Sequence, residues 1–311
     1  MQPSPTPSLK ANPGIETFRA VLPHGIELSC RASGPKEGPV LLFLHGFPEA
    51  AFVWDELLLH FAKAENGGYR CVAPNLRGYE HSSRPAEVGA YRAKFLCQDI
   101  YALMEQISPK RPLAALVAHD WGGAVAWSVA NQRPELMQRL VIVNSPHPGT
   151  FWRELKNSPE QQAASAYMNF LVRPDSAQLL AEDHFKRLWP FLMNPERPTW
   201  LTDEVMAQYE HVWSLGLEVG CHYYRASPLR PETADDKTIV TLELPRSMLT
   251  ISVPTLVLWG LKDIALRPGL LDGLEDYVPQ LTLRTNANAS HWMVHEEPAW
   301  VAQQMGAFLN Q

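Results

Sequence analysis

The chain has 311 residues, of which 46% are hydrophobic, and it carries a net charge of −6. A chain of this length can bury a large core, either in one domain with an insertion or in two separate domains. Because no long block of Lys or Arg is present, the charge excludes a nucleic-acid backbone or an anionic membrane surface as the partner, and we expect a small molecule instead.

The N-terminus and the cysteines indicate the compartment. Residues 1–14, MQPSPTPSLKANPG, are rich in Pro and Ser and lack the charged and apolar regions of a secretory signal, so we predict a disordered tail. The cysteines show no CxxC spacing and lie in apolar settings, which predicts buried free thiols and a reducing, cytoplasmic location. They are Cys30, Cys71, Cys97 and Cys221.

Strand-like runs alternate with helix-like runs in the first half of the chain. Phe18–Leu22 and Ile26–Ala32, joined by Pro-His-Gly, predict an antiparallel hairpin at the edge of a sheet. The elements predicted after it are, in chain order, strand Val40–Leu44, helix Trp54–Ala64, strand Tyr69–Ala73, helix Tyr91–Ile107, strand Leu113–Ala118, helix Gly123–Asn131 and strand Arg139–Val143. Apolar strands that alternate with helices predict an α/β fold, with a mostly parallel sheet flanked by helices.

This alternation stops near Pro146 and resumes at Pro254. The later core elements predicted are strands Thr255–Trp259 and Leu281–Thr285 and helix Ala299–Leu309. Helix-spaced apolar residues without a clear strand occupy Pro159–Val172, Ser176–Leu188 and Asp203–Tyr224. We therefore predict a core formed by residues 15–146 and 247–311, with a helical cap inserted at 147–246.

The segment LAALVAHDWGG, residues 113–123, predicts a strand that ends in a tight turn before a helix. Small residues such as Gly122 and Gly123 allow such a turn to present a nucleophile above the sheet, and the nucleophile position holds Asp120. The next backbone N–H groups lie at a helix N-terminus, where they stabilise negative charge. For this segment taken alone, an Asp that merely caps the helix is the alternative.

Three further motifs accompany this turn. His45-Gly46-Phe47-Pro48 follows a strand, at a place suited to a second oxyanion-binding N–H, and His45 is expected to tether that loop. Asp263 follows a later strand, and His291 lies in the loop after the next one. Nucleophile, acid and histidine in this order predict a hydrolytic triad.

Other histidines are not assigned to catalysis. His119, beside the nucleophile position, is expected to point into the fold as a satisfied structural residue. The remaining histidines of the later half lack the spacing of convergent metal ligands, so neither a metal nor another cofactor is predicted. They are His184, His211, His222 and His295.

Through these motifs, and through Arg77-Gly78-Tyr79, the chain resembles the epoxide hydrolase branch of the α/β-hydrolase superfamily along nearly its whole length. The resemblance implies the α/β-hydrolase fold with an inserted cap, and a cis Phe47–Pro48 bond. It also implies a triad of Asp120, Asp263 and His291.

The resemblance further implies how an epoxide would be bound. Two cap tyrosines, Tyr167 and Tyr224, would donate hydrogen bonds to the epoxide oxygen, and Tyr224 is matched in preference to Tyr223 because Arg225 adjoins it. For either tyrosine alone, a hydroxyl that merely caps a backbone group is the alternative. The backbone N–H groups of Phe47 and Trp121 would form the oxyanion hole.

Three positions depart from the family pattern. Ala118 replaces the Gly that usually precedes the His-Asp pair, Glu80 stands where the Arg-Gly-Tyr motif usually continues with Gly, and Ser290 replaces the Gly before the histidine. None of them removes a catalytic atom. They leave the local backbone geometry at these positions open, but they do not change the class of reaction that the resemblance implies.

The implied activity is hydrolysis of an apolar epoxide to a vicinal diol, through an alkyl-enzyme ester on Asp120 that a His291-activated water hydrolyses. A dehalogenase acting on haloalkanes or haloacetates is the nearest alternative, since it uses the same nucleophile. Haloalkane dehalogenases usually carry Asn or Glu where Phe47 stands, fluoroacetate dehalogenases carry Arg where Trp121 stands, and their acid occupies the position of Asn144. A non-catalytic protein that binds a small apolar ligand is a further alternative, against which the complete triad argues. The sequence leaves open a homodimer.

Overall fold

The fold was obtained as a computed structural model that describes residues 12–193 and 196–311. Most of the tail predicted at residues 1–14 lies outside the described residues. The chain forms one eight-stranded sheet in the order β1-β2-β4-β3-β5-β6-β7-β8. The strands are β1 (Glu16–Val21), β2 (Glu27–Ser33), β3 (Val40–Leu44), β4 (Arg70–Pro74), β5 (Ala115–His119), β6 (Leu140–Val143), β7 (Thr255–Gly260) and β8 (Leu281–Asn286).

The strand directions confirm the predicted α/β-hydrolase fold. The predicted hairpin is present at the sheet edge, where β1 pairs antiparallel with β2. β2 also pairs antiparallel with β4, and every later pairing in the sheet is parallel. Strands β3, β5, β6 and β7 are buried along their whole length, as expected for parallel strands covered on both faces.

The described helices flank this sheet or lie between β6 and β7. They are α1 (Asp55–Ala62), α2 (Ala93–Ile107), α3 (Asp120–Gln132), α4 (Pro148–Asn157), α5 (Pro159–Ala164), α6 (Tyr167–Leu171), α7 (Ser176–Phe185), α8 (Trp189–Leu192), α9 (Asp203–Ser214), α10 (Glu218–Ala226), α11 (Thr238–Thr241), α12 (Met293–Glu296) and α13 (Pro298–Leu309).

Several predicted boundaries were wrong. The helical pattern over Asp203–Tyr224 is broken into α9 and α10, because Gly216 adopts a left-handed conformation with φ of 116° between them. Helix α3 begins at Asp120 and not at Gly123, since the turn after β5 itself opens the helix. Strand β5 begins two residues after Leu113, which forms only an isolated bridge with Met137.

The carboxyl ends of the central parallel strands define one edge of the sheet. The sequence motifs of the predicted triad and of the oxyanion loop lie in the segments that follow β3, β5, β7 and β8. In open α/β sheets this edge is where ligands bind, because loops from neighbouring strands converge there. The topology therefore brings together residues that are far apart in the chain.

The segment between β6 and β7 lies over this edge. Its described residues form helices and turns, and no strand occurs among them. It is attached to the sheet domain by specific contacts: Trp213 Nε1 donates to the carbonyl of Pro48 at 2.7 Å, and Trp292 Nε1 donates to the carbonyl of Phe191 at 2.7 Å. Within the described chain, no helix has the length and apolar character needed to cross a membrane.

Candidate active site

Asp120 occupies a sharp turn between β5 and α3. Its φ is 49°, in the left-handed region that non-glycine residues rarely adopt. The turn depends on glycine, since a Cβ at Gly122 would lie 2.4 Å from the Leu44 carbonyl oxygen and a Cβ at Gly123 would lie 2.3 Å from Ser145. The backbone thus approaches its neighbours closely and projects the carboxylate of Asp120 beyond the sheet edge.

The loop after β3 holds one oxygen of that carboxylate. The Phe47 N–H donates to Asp120 Oδ1 at 2.7 Å, and the Phe47–Pro48 peptide bond is cis, as predicted. His45 is fully buried, with Nδ1 2.9 Å from the Gly46 oxygen and Nε2 accepting from the Leu76 N–H at 3.1 Å. Burial lowers the pKa of His45 to about 4, so the ring is neutral and can make both bonds.

Asp263 and His291 form the second part of the site. Asp263 is fully buried at the end of β7, and its Oδ2 lies 2.7 Å from Nδ1 of His291. Its Oδ1 accepts from the N–H groups of Ala265 and Leu266 at 2.9 and 2.8 Å. Nε2 of His291 lies 3.7 Å from Oδ2 of Asp120. The three residues predicted as a triad are therefore brought together by the fold.

The electrostatics of this triad follow from its two carboxylates. Burial disfavours the charged imidazole, but Asp263 and then Asp120 outweigh it and raise the pKa of His291 to about 9. Burial also disfavours the Asp263 carboxylate, yet His291 and the surrounding donors hold the pKa of Asp263 below its usual range. At neutral pH the resting site therefore holds an imidazolium at His291 against the carboxylate of Asp263.

Tyr167 and Tyr224 line the same cavity as Asp120 and His291. Their ring centroids are 6.2 Å apart, and the Tyr224 ring also packs edge-on against Phe47 at 5.3 Å. Burial raises the pKa of both phenols, and the charge of Asp120 raises it further, so both hydroxyls keep their protons as hydrogen-bond donors.

The adjacent Tyr223 has a different role. Its hydroxyl donates to the Arg77 carbonyl at 2.9 Å, and its ring contacts Tyr91 and Tyr79. Tyr223 is thus a structural residue of the interface between α10 and the sheet domain, while Tyr224 faces the cavity.

The cavity has a volume of about 570 Å³. Apolar side chains, among them Phe191, Leu192 and Trp292, form much of its wall, and the exposed Lys262 and Glu196 lie among its lining residues. Such a volume suits a small organic molecule whose apolar part is enclosed.

A buried carboxylate behind His291 was missed by the sequence reasoning. Glu49 Oε2 lies 2.9 Å from Nδ1 of His119, whose Nε2 lies 2.9 Å from the backbone oxygen of His291. Glu49 Oε1 accepts from the Tyr209 hydroxyl at 2.8 Å and lies 3.1 Å from Nε2 of His295. Burial opposes the ionised form, but the hydrogen bonds from the two histidines hold the pKa of Glu49 below its usual range.

The inward orientation expected for His119 agrees with these contacts. The sequence feature that could have pointed to Glu49 is its position directly after His-Gly-Phe-Pro. Nothing in the sequence indicated that its carboxylate contacts Tyr209 or His295. His295, set aside among the scattered histidines, also stacks on Trp200 with centroids 4.4 Å apart.

The three departures from the family pattern are accommodated locally. Ala118 is fully buried within β5. Glu80 adopts a φ of 45°, the conformation for which Gly is usual, and its carboxylate accepts from the Asn75 amide. Ser290 donates through its backbone N–H and its hydroxyl to Glu296, at 2.6 and 2.7 Å. Among the residues the structure describes, no cluster of three or more His, Cys, Asp and Glu could hold a metal ion.

Comparisons with known proteins identify the family of the chain. A family model described as alpha/beta hydrolase fold matches residues 39–298. The AB hydrolase superfamily protein YfhM of Bacillus subtilis is 32% identical over 92% of this chain and 95% of its own length. Epoxide hydrolase 1 of Caenorhabditis elegans is 32% identical over 90% of this chain and 67% of its own length.

A solved structure is also similar along nearly the whole chain. The epoxide hydrolase of Bacillus megaterium, in complex with an inhibitor, superimposes with a TM-score of 0.86 and 30% identity, over 94% of this chain and all of that one.

Proposed function

The chain belongs to the epoxide hydrolase branch of the α/β-hydrolase family, and from that premise we infer that it converts a small apolar epoxide and water into a vicinal diol. It is thus a hydrolase that acts on an ether bond. The observation that carries this conclusion is the convergence of the Asp120 carboxylate, His291 and two phenol side chains on one cavity.

In the first step, Oδ2 of Asp120 attacks a carbon of the epoxide ring. Oδ1 is engaged by the Phe47 N–H at 2.7 Å, which leaves Oδ2 as the nucleophilic oxygen. Tyr167 and Tyr224 donate to the ring oxygen as negative charge develops on it, and the product is an ester between Asp120 and the opened substrate.

In the second step, a water attacks the carbonyl carbon of that ester. Nε2 of His291 removes a proton from the water, and Asp263 orients the ring through its 2.7 Å contact with Nδ1. The backbone N–H groups of Phe47 and Trp121 stabilise the resulting oxyanion. It collapses as the ester C–O bond breaks, and the departing oxygen takes the proton that His291 removed from the water, which completes the diol and restores Asp120. A carboxylate nucleophile is required because its ester, unlike a serine ether, offers water a carbonyl carbon.

Ester formation also switches the state of His291. Alkylation neutralises Asp120, which removes one of the charges that hold the proton on His291. The pKa of His291 is therefore lower in the ester than in the resting enzyme, which favours the neutral imidazole that the second step needs.

The segment 147–246 acts as the cap of this site, because it supplies both tyrosines and part of the apolar wall. The apolar wall supports an aryl- or alkyl-substituted epoxide. A cytoplasmic location rests on the four cysteines, which are buried thiols.

The test is a paired product assay on the purified protein. Diol formation from a panel of styrene oxides is measured beside halide release from haloacetates and haloalkanes, with Asp120→Ala as the blank. We expect diol and no halide, and no turnover by Asp120→Ala. His291→Gln should form the ester and fail to hydrolyse it, so that the intact protein gains the mass of one substrate. Halide release without diol, or turnover by Asp120→Ala, would contradict the proposal.

A further inference from the structure

A buried amide beside the acid of the triad is not used by either step. Asn144 directly follows β6, is fully buried, and adopts a φ of 39°. That left-handed conformation is uncommon for a residue with a side chain, although Asn tolerates it better than most. A strained and fully buried polar residue at this edge of the sheet requires hydrogen-bond partners.

The partners determine which way the amide points. Oδ1 of Asn144 accepts from the Gly260 N–H at 3.0 Å, and Nδ2 donates to Oδ2 of Asp263 at 2.8 Å. In the flipped orientation the amide oxygen would face a carboxylate oxygen and the NH₂ group would face an N–H, so both contacts would be repulsive. The Gly260 N–H therefore directs the donor of Asn144 at Asp263.

The oxygen that Asn144 contacts is also the one that binds His291. Oδ2 of Asp263 lies 2.8 Å from Nδ2 of Asn144 and 2.7 Å from Nδ1 of His291, while backbone donors occupy Oδ1. Two donors on one oxygen fix the plane of the carboxylate. They also share its negative charge, so Asn144 reduces the charge that Asp263 can direct at the imidazolium.

We propose that Asn144 is a positioning residue for hydrolysis of the ester: it holds Asp263 so that His291 is oriented toward the water and can give up its proton. This role rests on the proposed function. Asn144 acts through Asp263 and does not contact the substrate.

The role is specific to the second step. The titratable groups that face His291 are Asp263, Asp120 and Glu49, together with the ring of His119, whose centroid lies 4.7 Å from that of His291. Once the ester forms, Asp120 no longer carries a charge, while Asp263, 2.7 Å from Nδ1, remains the closest anion to the ring. The hydrogen bond from Asn144 then has its greatest influence on how readily His291 gives up its proton and becomes the base that takes a proton from water. Ring opening by Asp120 does not require that transfer.

The test separates the two steps in the full-length protein. Asn144→Gly retains the left-handed backbone without strain and removes the amide. Samples mixed with styrene oxide are quenched in acid at successive times, and the alkylated fraction is measured by intact-protein mass spectrometry. We expect ester formation within about twofold of wild type and ester hydrolysis slowed about tenfold or more, with kcat and KM falling together.

The pH profile distinguishes this role from a purely structural one. Without the amide, Asp263 holds the imidazolium more strongly. The pH at which the rate of ester hydrolysis reaches half its maximum should therefore be higher than in wild type by about half a unit or more. The proposal would be overturned if Asn144→Gly slowed both steps equally. It would also be overturned if the variant hydrolysed the ester at the wild-type rate and with the wild-type pH profile.

Asn144→Asp is a second variant of nearly the same size. It keeps an acceptor for the Gly260 N–H, and its carboxyl can donate to Asp263 only while it is protonated, because two adjacent buried carboxylates share a proton. The ratio of its hydrolysis rate to that of wild type should therefore fall as the pH rises, whereas a constant ratio would contradict the donor role.

Asn131→Ala is the matched control. It removes an amide that donates to the carbonyls of Ser247 and Thr250, far from Asp263, and it should leave the balance between the two steps unchanged. If wild type itself forms neither ester nor diol, the proposed function fails. If wild type forms both and Asn144→Gly behaves like it, only this inference fails.

Discussion

His291 and Asp120 lie side by side without a direct hydrogen bond, with Nε2 3.7 Å from Oδ2. The other oxygen of Asp120 is already bound by the Phe47 N–H at 2.7 Å. The nucleophilic oxygen is thus near a positive charge but not blocked by a donor. This arrangement allows Asp120 to react first and His291 to act afterwards on the ester that results.

The first prediction concerns the pH dependence of stability. The pKa of His291 is raised from 6.5 to about 9 in the folded protein, so its contribution to stability is complete below about pH 6.5 and is lost as the pH rises through 9. His291→Gln should therefore have a flatter dependence of the unfolding free energy between pH 6.5 and 9 than wild type, as measured by urea unfolding. His60→Gln, in α1, is the control and should retain the wild-type slope.

The second prediction concerns the two phenols. Tyr167→Phe and Tyr224→Phe should each slow ester formation by about 10- to 100-fold, because each removes one donor to the developing oxyanion. Hydrolysis of the ester that does form should keep its wild-type rate. Single-turnover acid quench measures both steps.

Tyr223→Phe is the matched control for these variants. It loses only a bond to the Arg77 carbonyl and should form the ester at the wild-type rate. Rapid ester formation by the double variant lacking both cavity hydroxyls would contradict their role as donors.

The third prediction concerns the glycine beside the nucleophile. A Cβ at Gly46 would lie 2.2 Å from Oδ1 of Asp120, so Gly46→Ala must displace the carboxylate or the loop that binds it. We expect ester formation to fall by about 100-fold or more, since small misplacements of reacting groups have effects of that size. Thermal unfolding should show that the variant is folded.

Gly306→Ala provides the comparison. Gly306 lies in α13, and apart from the backbone of its own helix and its two chain neighbours, a Cβ there would have no atom within 4 Å. The substitution should raise stability by about 0.5–1 kcal/mol through helix propensity and leave activity unchanged. If Gly46→Ala were equally harmless, the close approach to Asp120 would have no catalytic importance.

The fourth prediction concerns the contact between α9, in the segment between β6 and β7, and the buried carboxylate of Glu49. The Tyr209 hydroxyl, on α9, lies 2.8 Å from the buried carboxylate of Glu49 and 2.9 Å from Nε2 of His295. Tyr209→Phe leaves that carboxylate with one donor fewer and should lower the unfolding free energy by about 1–3 kcal/mol. Urea unfolding measures the change, and Tyr69→Phe is the control, since Tyr69 packs against Phe61 away from this network. If Tyr209→Phe lowered the unfolding free energy no more than Tyr69→Phe does, the hydrogen bond from Tyr209 to Glu49 would not stabilise the fold.

Local patterns in the sequence were sufficient to predict the sheet and the order of the triad. Hydrophobic runs of strand length alternate with helical periodicity. Gly122 and Gly123 follow the nucleophile position closely, because the neighbouring backbone and Ser145 leave no room for a larger residue at either position. The cis Phe47–Pro48 bond and the choice of Tyr224 followed from the resemblance to a family. Helix boundaries were predicted less well, because Gly216 ends α9 through a backbone conformation that periodicity does not reveal.

The sequence by itself determined the fold and the class of reaction and predicted the nucleophile, because each is encoded by residues close together in the chain or by motifs in a recognisable order. Only the tertiary structure decided what surrounds the triad. Asn144 reaches Asp263 across 119 positions, and His119 reaches the backbone of His291 across 172. Such contacts form because the parallel strands of one sheet end at the same edge, whatever their separation in sequence. A buried amide and a buried carboxylate have no local signature, so their partners become visible only when the strands are side by side.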